Sequence, residues 1–583
     1  MNASETVLDQ EDISALPVPE TVGQHQHALF SGLAAAALLS ACGGGGSGGG
    51  SPTPTPIPTS PPTPSPTPGP VPISANEAAR FLMQASLGAT RTHIARVQTL
   101  GYSAWLDEQL AVPASTSRWD WLVSKGLNDI SYKNSQAGFD ATSWRKLISS
   151  SDTLRQRVTL ALSEIIVVSI NGLVGGAGWK AFGAAGFLDM LEANCFGNYR
   201  ALLQMVSTSP AMGLYLTFRG NVKYNPSTGA LPDENYAREL MQLFTIGLLQ
   251  LNADGTPKLS NGVPIETYTL DDITGLARVF TGWDFDLAGG TTSTPDFMRR
   301  PMAQVASRHE TGASSFLGST VAAGLNGADA LTAALDTIFA HPNIAPFISR
   351  QLIQRLVTSN PSSAYVARVS AVFNNDGTGT KGNLKAVTKA ILLDDEARNS
   401  TNLSNPQFGK VREPMLRFLA WARAFNASSA TDTWSIGDTS DPATKLAQSP
   451  LRSGSVFNFF RPGYVPPNSG IASAGLVAPE FQLANESSVV GYVNFMQSAV
   501  SHGGGVGDLV ADYSGLLSLA DNATSLLDEI NLLLAAGQLS EATLVRLRSA
   551  VGTMPSGTDA TRSKRIYAAL TLVLAAPEFI ILK

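Results

Sequence analysis

The residues best equipped for chemistry sit in one short stretch and one loop. The stretch Asp233-Glu-Asn-Tyr-Ala-Arg-Glu-Leu-Met-Gln-Leu-Phe-Thr-Ile-Gly247 reads as a helix, with Asp233 placed to accept an orphan N–H and Gly247 to cap the far end. At about 100° per residue, Glu234, Asn235, Arg238, Glu239, Gln242 and Thr245 share one side. Tyr236, Ala237, Leu240, Met241, Leu243, Phe244 and Leu248 share the other. A carboxylate beside a guanidinium and two amides suits acid–base work or metal ligation. On that reading Glu239 and Arg238 are catalytic, and Asn235 and Gln242 bind the ligand. The alternative is a solvated face, or a buried hydrogen-bond network that fixes helix packing. Glu234 and Arg238 then form an i,i+4 pair worth about 0.2–0.5 kcal/mol.

Histidine is scarce, with six in the chain, and His25 and His27 fall in the N-terminal tail. His309 lies in Ser307-Arg-His-Glu-Thr-Gly312, inside a long irregular segment, where it can serve as a general base or a ligand. His341 precedes Pro342 and is expected to end one helix and start the next. Glu239, His309 and His341 together would offer a metal one carboxylate and two imidazoles. No HExxH or paired-cysteine spacing accompanies them, and no metal or other cofactor is assigned. Arg350, Arg355, Arg412 and Arg461 recur inside or beside apolar motifs. Such arginines must be paired, by carboxylates such as Glu239 and Glu413 in a structural network, or by a bound sulfate, phosphate or carboxylate. Arg350 and Arg412 are the ligand-binding candidates of this group. Cys195 reads as a small buried hydrophobe and Asn252–Thr256 as a turn. There is no nucleophile elbow, Walker A loop or Rossmann fingerprint.

The elements that must position these residues are helical. Ser74 starts a first helix ahead of Glu77, and further helices are expected near 91–110, 117–126, 141–169, 180–193 and 198–208. Thr269 and Asp272 have capping-box spacing, starting a helix that runs to about Trp283. Residues 284–325 read as a long loop with short strands. Helices resume near 328–340, 343–358, 362–374, 383–394, 410–426, 479–500, 506–519, 521–535, 540–552 and 559–576. The segments Ala390–Ala397 and Leu572–Phe579 end helices alike, through chance or a weak duplication. The expected fold is mostly α: a large multi-helix domain over residues 73–583, with long irregular loops and few short strands.

Composition narrows the function. Hydrophobic residues make up 44% of 583, enough for a large core, and charged residues only 15%. A net charge of −6 with no basic run argues against nucleic acid as a main partner. Two cysteines in unlike contexts indicate no disulfide framework. Residues 28–41 form an apolar run of signal-peptide length, and Leu39-Ser-Ala-Cys42 resembles a lipobox, whose cysteine is acylated. Glycines and a Pro/Thr/Ser tract follow over residues 43–72, a flexible and then stiffer spacer. Residues 1–27 carry no Lys or Arg, unlike the positive start of an ordinary signal. The expectation is a lipid-anchored outer-membrane or cell-surface protein, the alternative a secreted or periplasmic one.

Several segments together resemble the bacterial family of large exported proteins called domain of unknown function 1800. They are Glu234–Leu240 with Phe244–Gly247; Tyr268–Asp272 through Leu276–Trp283; His309 near Phe316-Leu-Gly318; His341-Pro342 with Phe347–Val357; Val411–Pro414; Ser455–Gly463; and the closing Ala-Pro-Glu-Phe. The resemblance covers about residues 74–581. This chain has Phe244 where many relatives have histidine, and Ser314 and Ser315 where many have lysine. The resemblance implies no established reaction, but it does imply an exported phosphatase- or sulfatase-like protein as partner. The function expected is an accessory or binding protein of the cell envelope. A hydrolase-like enzyme centred on Glu239, His309 and Arg238, and a purely structural surface protein, are the alternatives.

Overall fold

Local capping chemistry fixes where the helices start. In the computed structural model, which describes residues 72–175, 177–502 and 506–583, Ser74 Oγ accepts the Glu77 N–H at 3.2 Å. Glu77 Oε2 in turn accepts the Ser74 N–H at 2.9 Å, closing a capping box. Thr269 and Asp272 close the same box at the start of Leu270–Ala277. The leader-like segment, Cys42 and linker residues 43–71 lie outside the described residues. Among the described residues there are 24 α-helices and five two-stranded antiparallel pairs, so the fold is mostly α. No helix among them is long and apolar enough to cross a membrane. Short strands do interrupt the irregular stretch: Trp283–Asp284 pairs with Ala303–Gln304, and Ser314–Phe316 with Ser319–Val321.

Several long helices are divided. The helix expected over 91–110 becomes Arg91–Leu100 and Tyr102–Ala111, because Gly101 between them has φ +78°. The one expected over 141–169 becomes Phe139–Ser149 and Thr153–Ser163. Arg423 caps that break, its guanidinium donating to Leu147 O at 2.7 Å and Ser150 O at 3.0 Å. Only Ser514–Leu517 of 506–519 is α-helical, since Leu509–Val510 pairs with Ser428–Ser429 instead.

Two helical units are built alike. In the first, Ile344–Leu356, Ser363–Asn374 and Leu384–Leu393 pack together and end in Asp395–Arg398. In the second, Ala523–Ala535, Glu541–Gly552 and Asp559–Leu574 end in Pro577–Ile580. In each, a glutamate of the terminal short helix accepts the N–H of the serine capping the middle helix. These are Glu396 with Ser362 at 2.9 Å, and Glu578 with Ser540 at 3.2 Å. The strands that follow pair with each other, Lys410–Val411 antiparallel to Ile581–Leu582. Arg80, from the first helix, donates to Ala397 O and Lys583 O at 3.0 Å and so clasps both units.

One ion-pair cluster is built into the core away from these units. Arg118 approaches Glu192 at 2.7 Å and Asp189 at 3.2 Å, and Lys146 approaches Glu192 at 2.8 Å. Both cations are buried, at 2% and 0% exposure. Their charges are matched within the core, as burial requires.

Candidate functional site: a cation-lined cavity

The helix Ile344–Leu356 builds the site. Its apolar side is buried through Ile344, Ile348 and Leu352. Its other side presents Phe347, Arg350, Gln351, Gln354 and Arg355, at successive spacings of three and one residues, so they form one stripe. Asn343, just before the helix, pins the loop opposite. Its Nδ2 donates to Ile246 O at 2.9 Å and Leu249 O at 2.7 Å, and its Oδ1 accepts the Leu251 N–H at 2.9 Å. Gly247 makes the close approach possible. Its φ is +71°, and a Cβ there would lie 2.5 Å from the Phe347 ring.

Between stripe and loop lies a cavity of about 410 Å³, within the range usual for small-molecule sites. Gln242 and Leu243 bring the end of the Asn235–Gln242 helix to its wall. Ile165, Leu249, Val456 and Phe457 complete an apolar lining. The amides are already committed. Gln354 donates to Ser359 O at 3.0 Å, Gln351 to Leu243 O at 3.4 Å, and Gln242 accepts from the Tyr268 hydroxyl at 3.4 Å.

The arginines of the wall are not committed. Arg350 has no hydrogen bond, ion pair or ring partner among the described residues, and poor hydration alone holds its pKa below the ordinary arginine value. Arg461 stacks its guanidinium on Phe457 at 4.8 Å and has no carboxylate partner among the described residues. Both are exposed where the cavity opens.

The floor is different. Arg355, 1% exposed, approaches Glu164 at 3.3 Å and lies over the Phe460 ring at 4.9 Å. Behind it, Arg157 and Lys410 both donate to Arg355 O, Lys410 pairs with Glu480 at 2.9 Å, and Gln448 donates to Glu413 at 2.6 Å. Burial, then the neighbouring Glu413, pushes the Glu164 carboxyl well above the ordinary range, with Arg355 only partly offsetting them.

The expected site residues divide accordingly. Gln242 and Arg350 line the cavity. Arg412 is buried elsewhere, donating to Leu534 O at 3.1 Å and lying over Phe579 at 4.5 Å, so it works as a packing residue and does not line the cavity. The carboxylates expected to pair these arginines are not the ones found. Arg355 takes Glu164, while the cation beside Glu239 is Arg238. Arg238 pairs with Glu234 at 3.4 Å on the half-exposed face, and Asn235 Nδ2 donates to Thr217 Oγ1 at 3.4 Å. Glu239 is 8% exposed, and its Oε2 has no hydrogen-bond partner. Burial pushes its pKa up to about 7, Arg238 opposing.

His309 is buried against Thr281, its Nδ1 at 3.1 Å from Thr281 O, and lines a separate void of about 10 Å³. No hydrogen bond or ion pair joins it to Glu239 among the described residues. His341 closes the helix Gly327–Ala340, its Nδ1 accepting the Asn343 N–H at 3.2 Å. Among the described residues no three His, Cys, Asp or Glu side chains cluster to hold a metal ion, so Glu239, His309 and His341 are not one ligand set. Phe244 is fully buried, as the helical wheel implies, and Cys195 is a buried thiol pushed up to about 12, chiefly by desolvation.

Sequence reasoning missed Glu164, Gln351 and Gln354. The signals were there: a lone glutamate in Leu160-Ala-Leu-Ser-Glu-Ile-Ile-Val-Val168, and five residues from Phe347 to Arg355 on one helical face.

Fold and cavity define a large α-helical protein whose clearest site is a pocket with apolar walls, free arginines at its mouth and ion pairs in its floor. The chain belongs to the family described as protein of unknown function (DUF1800), whose model matches residues 80–581. No curated protein and no solved structure matches the chain.

Proposed function

We propose that the protein is a lipid-anchored cell-envelope protein that binds a small anion with an apolar body in this cavity, working with an exported partner. One observation carries the binding reading: Arg350 stands at the mouth of the cavity with no carboxylate partner among the described residues. A guanidinium in that state favours a ligand anion, which it can grip with a two-pronged hydrogen bond. Leu243, Leu249, Phe347 and Phe457 offer the anion's body an apolar surface. Calorimetric titration of the full chain with sulfate and octyl sulfate tests the reading. Octyl sulfate should bind more tightly than sulfate. Arg350→Ala should weaken both by about 2 kcal/mol, roughly thirtyfold. Unaltered binding by the variant refutes the role given to Arg350.

The anchor rests on Leu39-Ser-Ala-Cys42 and the spacer behind it. Cells expressing the full chain should incorporate labelled palmitate into it, and Cys42→Ser should abolish the label. Persistent label in the variant removes the anchor. An outer-membrane or cell-surface location and a phosphatase- or sulfatase-like partner extend this reading. Co-purification of such a protein with the full chain supports the partner.

A further inference from the structure

The cavity floor holds a charge arrangement that simple ion pairing does not explain. Arg157, Arg355, Lys410 and Arg417 face Glu164, Glu413 and Glu480, four cations against three carboxylates. Two of those carboxylates, Glu164 and Glu413, are buried close enough for each to feel the other's charge. Both oxygens of Glu164 and Oε1 of Glu413 are buried without a hydrogen-bond donor. A single proton between the two groups supplies the missing donor and removes the repulsion of adjacent carboxylates. Gln448, bonded to Oε2 of Glu413, and Lys410 nearby favour Glu413 as the ionised member, leaving the proton on Glu164.

That assignment matters because Glu164 and Arg355 both line the cavity. With Glu164 neutral, the Arg355 charge is incompletely compensated and faces the ligand space. With Glu164 ionised, the 3.3 Å pair is closed and a ligand anion must compete for the same guanidinium. We propose that Arg355 is the inner anion-binding residue of the cavity and that an oxyanion of the sulfate or carboxylate class binds there together with one proton held on Glu164. The inference rests on the cavity being an anion site and names its regulation. No bond to the ligand is made or broken. The proton comes from solvent and stays on the Glu164–Glu413 pair. The other groups facing Glu164 are Arg355 from Ile344–Leu356, Glu413 before Pro414–Ala424, Lys410 from the Lys410–Val411 strand and Arg157 from its own helix. Arg157 donates to Arg355 O and Lys410 is paired with Glu480 at 2.9 Å, so the carboxyl pair is assigned the proton.

Sulfate is the direct probe, because it does not itself titrate between about pH 5 and 9. Titrating the full chain in two buffers of different ionisation enthalpy measures protons taken up on binding. The wild type is expected to take up as much as one proton, with affinity falling by up to about tenfold per pH unit as Glu164 loses its proton. Glu164→Gln, which keeps the shape and fixes the neutral form, should bind sulfate with no proton uptake and a flat pH profile, at least as tightly as the wild type in acid. Decanoate should behave as sulfate does if carboxylates share the site. Sulfate binding to the wild type without proton uptake, or an unchanged pH profile in Glu164→Gln, overturns the inference and leaves the cavity reading standing. Failure of sulfate, octyl sulfate and decanoate to bind at any pH overturns both.

Discussion

Glu192→Ala is expected to cost about 3–5 kcal/mol of stability, the range for removing one partner from a buried ion pair. The variant leaves Arg118 and Lys146 in the core without the carboxylate that bridges them at 2.7 and 2.8 Å. Asp189 compensates Arg118 only in part, because it already accepts the Arg118 and Trp119 backbone N–H groups. Lys146 keeps hydrogen bonds to Ser115, which offset some desolvation but carry no negative charge. Wild-type Glu192 is held below the ordinary carboxyl range: burial raises it, and Arg118 and Lys146 together more than reverse that. Its contribution is therefore present above the unfolded-state pKa and is lost as the pH falls through the lower folded-state value. Urea midpoints of wild type and variant at neutral and acid pH measure this. The gap should be large near neutrality and shrink in acid. A variant within about 1 kcal/mol of the wild type at neutral pH would show that the cluster is not holding the core.

The second large effect has the opposite sign. Glu239→Gln is expected to stabilise the protein above neutral pH. Desolvation raises the Glu239 carboxyl from its ordinary 4.5 to about 7. A raised carboxyl favours folding while it is protonated, and that advantage is lost as the pH climbs through 4.5 towards 7. Across that interval ionisation of the buried group costs the folded state about 3 kcal/mol, at roughly 1.4 kcal/mol per pH unit. Glutamine escapes the cost. Thermal unfolding of both proteins should therefore coincide near pH 4 and separate progressively up to about pH 8. A gap that does not change with pH would refute the raised carboxyl. Tyr215 and Tyr268 lie near enough to Glu239 to feel its charge, so the same titration should shift their absorbance.

What the sequence made legible was local. Ser74 and Thr269 announce helix starts because a cap and its target lie within a few residues of each other. Phe244 falls on the core side by helical geometry alone. Arg350 stands out because a charged residue in an apolar segment needs a partner or a ligand. Arg412 looks the same in sequence, yet its guanidinium meets a carbonyl 122 residues away and packs over Phe579, outside the cavity. Glu164 stands out in its apolar run, but its partner does not: Arg355 is 191 residues away, so nothing nearby hints at the pairing. The side chain that satisfies the carbonyls at the Ser150 break, Arg423, is likewise distant in sequence, and periodicity carries no trace of it. Periodicity reports what a residue's neighbours want. The site depends on which remote segments meet.

The pairing of Lys410–Val411 with Ile581–Leu582 gives that dependence a temporal side. Lys410 supports Arg355 from beneath, so the geometry of the pocket floor depends on a strand pairing between segments far apart in sequence. Contacts of such separation form late, because a long intervening chain must first be ordered. Any molecule that occupies the pocket selects the assembled state, adding its binding free energy to the stability of the whole helical domain.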